Sequence, residues 1–365
     1  MARRRLWFRS GGRMLRAGKS PSFVSVSIAV GLGAAVASAL IALYYPYYRQ
    51  YRIKRCLEAT GADVVCSASP PWPIRDGGTA GFFDVIRFVD FPNGHVDADK
   101  LQLLRHCPYL IGLTLAGTDV KDEALCNLRG LHALETLDLR NTLVGDKSLK
   151  TISGVKSLNV LFLQGTAITD RSLAELARMP LLQAVDLSNT SVGDTGVAAL
   201  SRSYTLSWLG LTRTRVTDDS LRDLGSMNQL GTLVLKETAV TDEGMKSLSR
   251  STSLETVSLS DTGITDAGLQ HLKGMRGLVE LELHNTYVTD TGLSHLTGLN
   301  LRYLGLSGTQ VTDNAVDYLV HFHNLEWLNI AGTHITREGA ARLREALPNL
   351  TTFISDYESA DLNEK

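Results

Sequence analysis

Apolar residues recur along this chain with a spacing of 24 residues. The unit reads L-x-x-L-x-L-x-x-T-x-[V/I]-x-D-x-x-L-x-x-L, and ten copies fit with one single-residue deletion. A degenerate eleventh copy opens at Ile86, and Leu350 to Phe353 begin a strand that is not completed, as is typical of end caps. A sustained period of this length predicts a solenoid. The ten copies begin at Leu110, Leu134, Leu158, Leu182, Leu206, Leu230, Leu254, Leu278, Leu301 and Leu325.

Each unit predicts one short strand followed by one helix, so the expected fold is an α/β solenoid with a parallel sheet on its concave face and helices on its convex face. Within residues 158–163 the alternating leucines face the core and the residues between them face outward. Asp170 precedes the helically spaced Leu173 and Leu176, so we expect this aspartate to cap the helix. Nine copies carry the aspartate. Arg337 replaces it in the tenth, so we expect the last helix to be the least well capped.

Ten threonines occupy one fixed place in the unit, from Thr118 to Thr333. We expect their side chains to bond to backbone groups of the turn and to the neighbouring coil. A residue that recurs in every coil supports the coil, so neither the threonines nor the aspartates are candidates for catalysis.

The N-terminal residues follow a different pattern, which predicts a membrane span. Pro21 to Tyr48 contain no charged residue, and Phe23 to Tyr45 are long enough to cross the roughly 30 Å hydrocarbon layer as a helix. Tyrosines and Pro46 follow at its far end. Seven basic residues precede the span and no acidic one does, so the positive-inside rule places the N-terminus in the cytoplasm and the repeats on the exoplasmic or periplasmic side.

Two alternatives concern this segment. Ala37-Ser38-Ala39 matches the A-x-A site of a cleaved signal peptide, although the apolar run continues to Tyr45 and favours a retained span. Gly31 and Ala35 belong to a stripe of small residues that recurs every four positions, which would allow weak self-association of the span or simple packing against lipid.

The chain is thereby divided into five segments: 1–20, a basic cytoplasmic segment; 21–48, the transmembrane helix; 49–85, a juxtamembrane helix and N-terminal cap; 86–353, the repeat array; and 354–365, a polar tail.

Charge and cysteine content exclude several classes of function and site. The 365 residues are 44% hydrophobic with a formal net charge of −1, so no global field attracts nucleic acid, and the basic run at 1–20 is explained by the span. Four cysteines are too few for a disulfide framework and lack zinc-ligand spacing. Cys56 and Cys66 can pair outside the cytoplasm or remain two thiols.

The run T-x-[V/I]-T-D-x-G-L, as in residues 286–293, resembles the cysteine-containing-like class of leucine-rich repeats. The regular cysteine and an F-box-like segment of the eukaryotic ubiquitin-ligase receptors are absent. The chain is more similar to bacterial membrane-anchored leucine-rich-repeat proteins, in which a span is followed by a helix, here Tyr51 to Ala62, and a Pro/Trp segment, here Ser69 to Pro73. The resemblance covers about three quarters of the chain and implies a leucine-rich-repeat solenoid that acts as a binding scaffold.

The outward strand positions of the array form one continuous surface, called here the concave face. Large aromatic residues stand among small ones there, so we expect them to be exposed and to anchor a partner. Three residues of one strand add an acidic patch suited to a basic partner and are spaced too widely to hold a metal ion unaided. The candidate binding residues are Phe162, Trp208, Glu280, Glu282, His284, Tyr303 and Trp327.

Catalytic motifs are lacking: the chain has no G-x-S-x-G, phosphate loop, H-E-x-x-H or calcium loop. We therefore expect a non-enzymatic scaffold that binds a protein or cell-envelope component, without cofactor, metal or nucleic acid. The alternatives are a structural or adhesive spacer with no specific partner and, third, a substrate-receptor subunit of a larger enzyme complex.

Overall fold

The computed structural model describes residue 45 and residues 48–68, 84–96 and 98–357. The expected transmembrane helix at 21–48 falls almost entirely outside these residues, as do the Pro/Trp segment at 69–73 and most of the C-terminal tail. Within the described part of the chain, no helix combines the length and the apolar character that a membrane crossing requires.

The strands form a single 13-stranded sheet in which each strand pairs with its neighbours in sequence. The first pair is antiparallel and all the others are parallel. The bounds are β1 Asp63–Ala68, β2 Asp84–Asp90, β3 Gly112–Thr114, β4 Thr136–Asp138, β5 Val160–Phe162, β6 Ala184–Asp186, β7 Trp208–Gly210, β8 Thr232–Val234, β9 Thr256–Ser258, β10 Glu280–Glu282, β11 Tyr303–Gly305, β12 Trp327–Asn329 and β13 Thr352–Ile354.

A short helix follows most strands and returns the chain to the next one, so the predicted α/β solenoid with a parallel sheet is confirmed. The α-helices are α1 48–58, α2 Ala98–Gln102, α3 Asp146–Ile152, α4 Leu173–Leu176, α5 Asp194–Leu200, α6 Asp218–Leu224, α7 Asp242–Leu248, α8 Asp266–Gln270, α9 Asp290–Ser294, α10 Val316–Leu319 and α11 Arg337–Ala346. Short 3-10 helices cover Leu103–His106, Asp122–Gly130, Asp170–Ser172, His271–Gly274 and Asp313–Ala315.

The core is a continuous column of the repeated apolar residues. In one representative coil, the leucines of the strand and of the helix and the β-branched residue of the turn are fully buried, namely Leu158, Leu161, Leu163, Ile168, Leu173 and Leu176. Because each coil meets only its two neighbours, the energy of the fold is supplied by many repeated contacts of this kind.

The repeated threonines close the turn after each strand. In all ten coils the threonine hydroxyl donates to the carbonyl oxygen three residues earlier; Thr166 Oγ1, for example, lies 2.6 Å from Leu163 O. The expected bond to the turn is therefore present. The polar link to the neighbouring coil is made by a different residue.

That residue is the repeated aspartate, and the expectation that it caps its own helix is wrong. It is the first residue of the helix, and its carboxylate accepts bonds from the next coil. Thr169 donates to Asp146 through its backbone N–H at 2.8 Å and its hydroxyl at 2.6 Å. The backbone bond recurs at all nine aspartates. In six coils the helix is capped instead by the preceding threonine.

The expectation for the last helix is also wrong. α11 is the longest α-helix in the described part of the array, and the Thr336 hydroxyl accepts from Gly339 N at 3.3 Å. Thr336 N itself donates to Asp313 of the preceding coil at 2.7 Å. Arg337 replaces aspartate without harm because the aspartate serves the following coil, and the described residues contain no helix beyond α11.

The same carboxylate explains the small residue in the T-D-x-G-L run. A Cβ added to Gly244 would lie 2.5 Å from Asp218 Oδ1, and four other glycines at this position meet the preceding aspartate equally closely. In other coils a serine occupies the glycine position and donates a hydrogen bond to the same aspartate, as Ser172 Oγ does to Asp146 at 2.7 Å. The small residue is therefore a requirement of coil stacking.

A left-handed residue precedes each of the ten threonines. Glycine, asparagine or aspartate fills eight of these places, and such residues adopt positive φ most readily. Arg213 and Glu237, with φ of 54°, fill the other two in adjacent coils, where their side chains form an ion pair. The sequence analysis did not single out this row.

The N-terminal end of the core is covered by elements outside the repeat. Ile53 and Leu57 of α1 are buried, and Gln50 Nε2 donates to His106 O in the first coil. β1, which the sequence analysis did not predict, pairs with β2 and supplies an antiparallel edge. Cys56 is exposed on α1 and forms no disulfide with Cys66 of β1.

Replacing an internal aspartate should uncouple two coils. Asp242→Ala leaves Thr265 N and Thr265 Oγ1 without their acceptor, at bond lengths of 2.8 and 2.6 Å in the native chain. We expect a loss of about 1–3 kcal/mol in the free energy of unfolding, measured by urea denaturation. Glu243→Ala is the matched control, because Glu243 is the exposed neighbour on the same helix. Equal losses in the two variants would contradict a coil-linking role.

Acid should weaken the same links. Burial alone raises the pKa of Asp146 and Asp194, but hydrogen bonds from serine and threonine of the next coil outweigh it and hold both pKa values below 3.8. The folded state therefore binds fewer protons than the unfolded state below pH 3.8, and the stability present above that pH is lost as pH falls further. Urea denaturation at pH 7 and pH 3 should show a smaller acid loss for Asp194→Asn than for the native chain. An unchanged loss would argue against this linkage.

Candidate binding surface

The sheet register arranges the concave face in rows that run across the coils. Trp208, Glu280, Tyr303 and Trp327 belong to one row, because Glu280 pairs with Tyr303 and Tyr303 with Trp327. Phe162 and Glu282 belong to a second row, two residues further along each strand. His284 follows β10 in a third row. All seven predicted residues therefore lie on one face of one sheet, distributed over five coils, with Glu280, Glu282 and His284 in the same coil.

The aromatic residues are less exposed than expected. Phe162, Trp208, Tyr303 and Trp327 are all partly buried. The reason is visible at Trp208: a Cβ added to Gly210 would lie 2.8 Å from the indole ring, so the ring lies along the sheet over this glycine. Small residues on the concave face thus leave room for large rings to lie against the sheet. The expectation that these rings are fully exposed is wrong.

Two of these rings are covered by arginines. The Arg140 guanidinium lies 5.3 Å from the Phe162 ring centroid, and that of Arg302 lies 5.7 Å from the Tyr303 centroid. Each arginine also binds a carboxylate, Asp138 at 2.6 Å and Glu326 at 2.7 Å. The exposed parts of the two rings therefore lie beside arginines whose positive charge is already paired with a carboxylate.

His284 is held in place by the next two coils. Its Nδ1 accepts from Ser307 N at 3.1 Å, its ring covers Gly305, and its centroid lies 6.2 Å from that of Trp327 in an edge-to-face arrangement. Burial lowers the pKa of His284 below 6.5, and Lys236 adds to this, while Glu282 and Asp261 oppose it. The imidazole is thus neutral at pH 7, with its remaining proton on Nε2.

Glu280 and Glu282 lie next to each other on the same face. The Glu280 carboxylate accepts a bond of 3.3 Å from the Thr256 hydroxyl. Burial, with the neighbouring charge of Glu282, raises the pKa of Glu280 above its ordinary value. In the part of the chain that the structure describes, no three or more His, Cys, Asp or Glu side chains are grouped so that they could hold a metal ion.

Sequence reasoning missed two features of this face. Ser258 and Ser260, in the coil beside Glu282 and His284, are only 3% and 1% exposed, and their hydroxyls have no hydrogen-bond partner among the described residues. Phe88 of β2 begins the first row and is 46% exposed. The only sequence signal for Phe88 was its place at the outward offset of the degenerate copy. No residue pattern within their own strand indicated that the two serines are buried.

Comparison with known proteins supports the repeat assignment. A family model described as Leucine Rich repeat matches residues 178–201 and 250–273, each match being one period of 24 residues. No curated protein matches the sequence significantly.

Several solved structures have a similar fold. An internalin from Listeria monocytogenes is 18% identical, with 84% of this chain and 93% of that chain covered and a TM-score of 0.49. A leucine-rich-repeat protein of Leptospira interrogans is 20% identical over 69% of this chain and 62% of its own, with a TM-score of 0.46. TLR13, solved in complex with ssRNA13, is 19% identical, with 74% of this chain and 40% of that chain covered and a TM-score of 0.50.

Identities this low bear on the fold alone. Three observations agree: the ten-fold register, the sequential parallel sheet and the two matched repeats. The described array has the leucine-rich-repeat fold, and residues 178–201 and 250–273 match the leucine-rich-repeat family.

Proposed function

We propose that this protein is a membrane-anchored scaffold that binds a protein or cell-envelope component through its concave face. Leucine-rich-repeat proteins generally act as scaffolds for protein binding, using the extended surface that stacked coils provide. We propose further that the protein belongs to the bacterial membrane-anchored leucine-rich-repeat proteins that its sequence resembles.

One observation carries it: a contrast between positions within the same repeat. Core leucines, turn threonines and stacking aspartates recur in nearly every coil and are used up by contacts within the array. The outward strand positions change from coil to coil, as in Trp208, Thr232, Thr256, Glu280, Tyr303 and Trp327 along one row. This variety contrasts with the fixed core and stacking positions and suits recognition.

A spacer without a specific partner is the second candidate. It would need only the stacking residues and would place no requirement on the concave face. The cluster of aromatic and charged residues on β10, β11 and β12 favours the binding scaffold, because a spacer gains nothing from a partly exposed tryptophan or from glutamates that form no salt bridge within the described residues.

The anchoring part of the proposal depends on the uncharged run at 21–48 and the seven basic residues before it. A span that ends near Tyr45 would be followed almost at once by α1, where Arg49 and Gln50 both contact His106 of the first coil. The array would therefore be held close to the membrane, on the exoplasmic or periplasmic side, with its N-terminal coil nearest the surface.

Position-specific photo-crosslinking in cells tests the binding face. A benzoylphenylalanine at Trp208 or Tyr303 of the full chain should give discrete adducts with a partner, because both residues lie on the concave face. Tyr204 and Tyr287 provide matched aromatic controls outside the sheet, with exposures of 88% and 62%. Adducts that form equally from the control positions, or only from them, would remove the concave face from the proposal.

Cell fractionation and protease treatment test the anchor. We expect the full chain to sediment with membranes and residues 50–365 to be digested when protease is added to spheroplasts. Gly31→Arg with Ala35→Arg should release it into the soluble fraction, since each central arginine costs about 2.5–3.5 kcal/mol of insertion free energy. Protection of the array while an external marker is cut would reverse the proposed orientation.

A further inference from the structure

Two buried hydroxyls mark one place on the concave face. Four buried side-chain oxygens lack a hydrogen-bond partner among the described residues, and two of them, Ser258 Oγ and Ser260 Oγ, lie two residues apart on the same face. The other two, on Gln50 and Asn127, lie far from each other in the sequence. A buried hydroxyl without a partner is unfavourable, so two side by side point to a ligand that completes their bonds.

The serines are flanked by charged side chains of the adjacent coils. Ser258 lies directly opposite Glu282 in the sheet, and Ser260 has Lys236 on one side and His284 on the other at the same offset. Lys236 is already paired with Asp261, with its Nζ 3.4 Å from Oδ2. Glu280 and Glu282 have no salt-bridge partner within the described residues, so the place carries uncompensated negative charge.

The surrounding groups select among ligand classes. An anion would meet two carboxylates without a free cation to offset them. A sugar would need an open aromatic face, whereas the Tyr303 face is occupied by Arg302. An ammonium or guanidinium group donates three or more hydrogen bonds and accepts none, which matches two carboxylates and two hydroxyl oxygens.

We propose that this serine well, formed by Ser258, Ser260, Glu280, Glu282 and His284, binds a lysine or arginine side chain of a partner protein. The proposal rests on the concave-face function above and names the chemistry of its partner. The basic group is bound by the Glu280 and Glu282 carboxylates, and its inner N–H groups reach the serine hydroxyls. Neutral His284 limits the well on the side of Trp327 without repelling a cation.

A defined cationic probe tests this well. Full-length protein in phosphatidylcholine nanodiscs is titrated with fluorescent decalysine at physiological ionic strength, and binding is followed by anisotropy. E280Q/E282Q should weaken binding about tenfold or more, since both carboxylates of the proposed contact are neutralised. E123Q/E243Q removes the same two charges from exposed helix positions and controls for long-range attraction.

A second variant gives a readout that charge alone does not. S258A/S260A removes the unpartnered hydroxyls and leaves the charge unchanged. It should raise Tm by about 2 °C or more, because two unsatisfied buried groups disappear, and weaken decalysine binding about fivefold. A rise in Tm together with a fall in affinity is the expected signature of residues kept for a ligand.

The outcomes are separable. The well is disproved if E280Q/E282Q weakens decalysine no more than E123Q/E243Q, or if neutral chitohexaose binds the native chain more tightly than decalysine does. If the well fails in this way but Tyr303 still crosslinks a partner in cells, the concave-face function stands and only the cationic assignment falls.

Discussion

The carboxylate of the repeated aspartate is the constraint on which the remaining structure depends. It joins each coil to its successor through a backbone N–H and, in most coils, a threonine hydroxyl, as Asp146 does with Thr169. This position lies on the helix side of the core, whereas the sheet hydrogen bonds lie on the opposite side. Adjacent coils are therefore fixed along two lines, and a rigid sheet results although the strands from β3 to β13 are only three residues long. A rigid sheet is what keeps variable side chains at defined separations on the concave face.

Much of the fold could be predicted from sequence because its determinants repeat. The 24-residue register placed every inward leucine, such as Leu158 and Leu161, correctly in the core. It also located the threonine bond, which joins residues three apart. The aspartate was misread because its partner is 23 residues away, so a local capping rule was applied to a contact between coils. β1 was missed because it belongs to no repeat.

The sequence predicted which residues share the concave face, but not how far their side chains are exposed. Alternation along β10 correctly placed Glu280 and Glu282 on one face. The orientation of the aromatic side chains was not predictable, since the Trp208 ring lies along the sheet only because Gly210 has no side chain beneath it. The burial of Ser258 and Ser260 was likewise not evident from the residues of their own strand. In a solenoid, therefore, the backbone follows from periodicity, whereas side-chain exposure follows from which residues happen to be neighbours across coils.

The repeated aspartate determines how coils can be added to the array or lost from it, and Arg337 stands in its place in the tenth copy. Each of the first nine copies carries the aspartate that accepts hydrogen bonds from the next coil. The link between two coils therefore depends only on residues of those two coils. Duplication or loss of one 24-residue segment would preserve every link on both sides of the junction. The number of coils can thus change in evolution without the loss of any link between neighbouring coils.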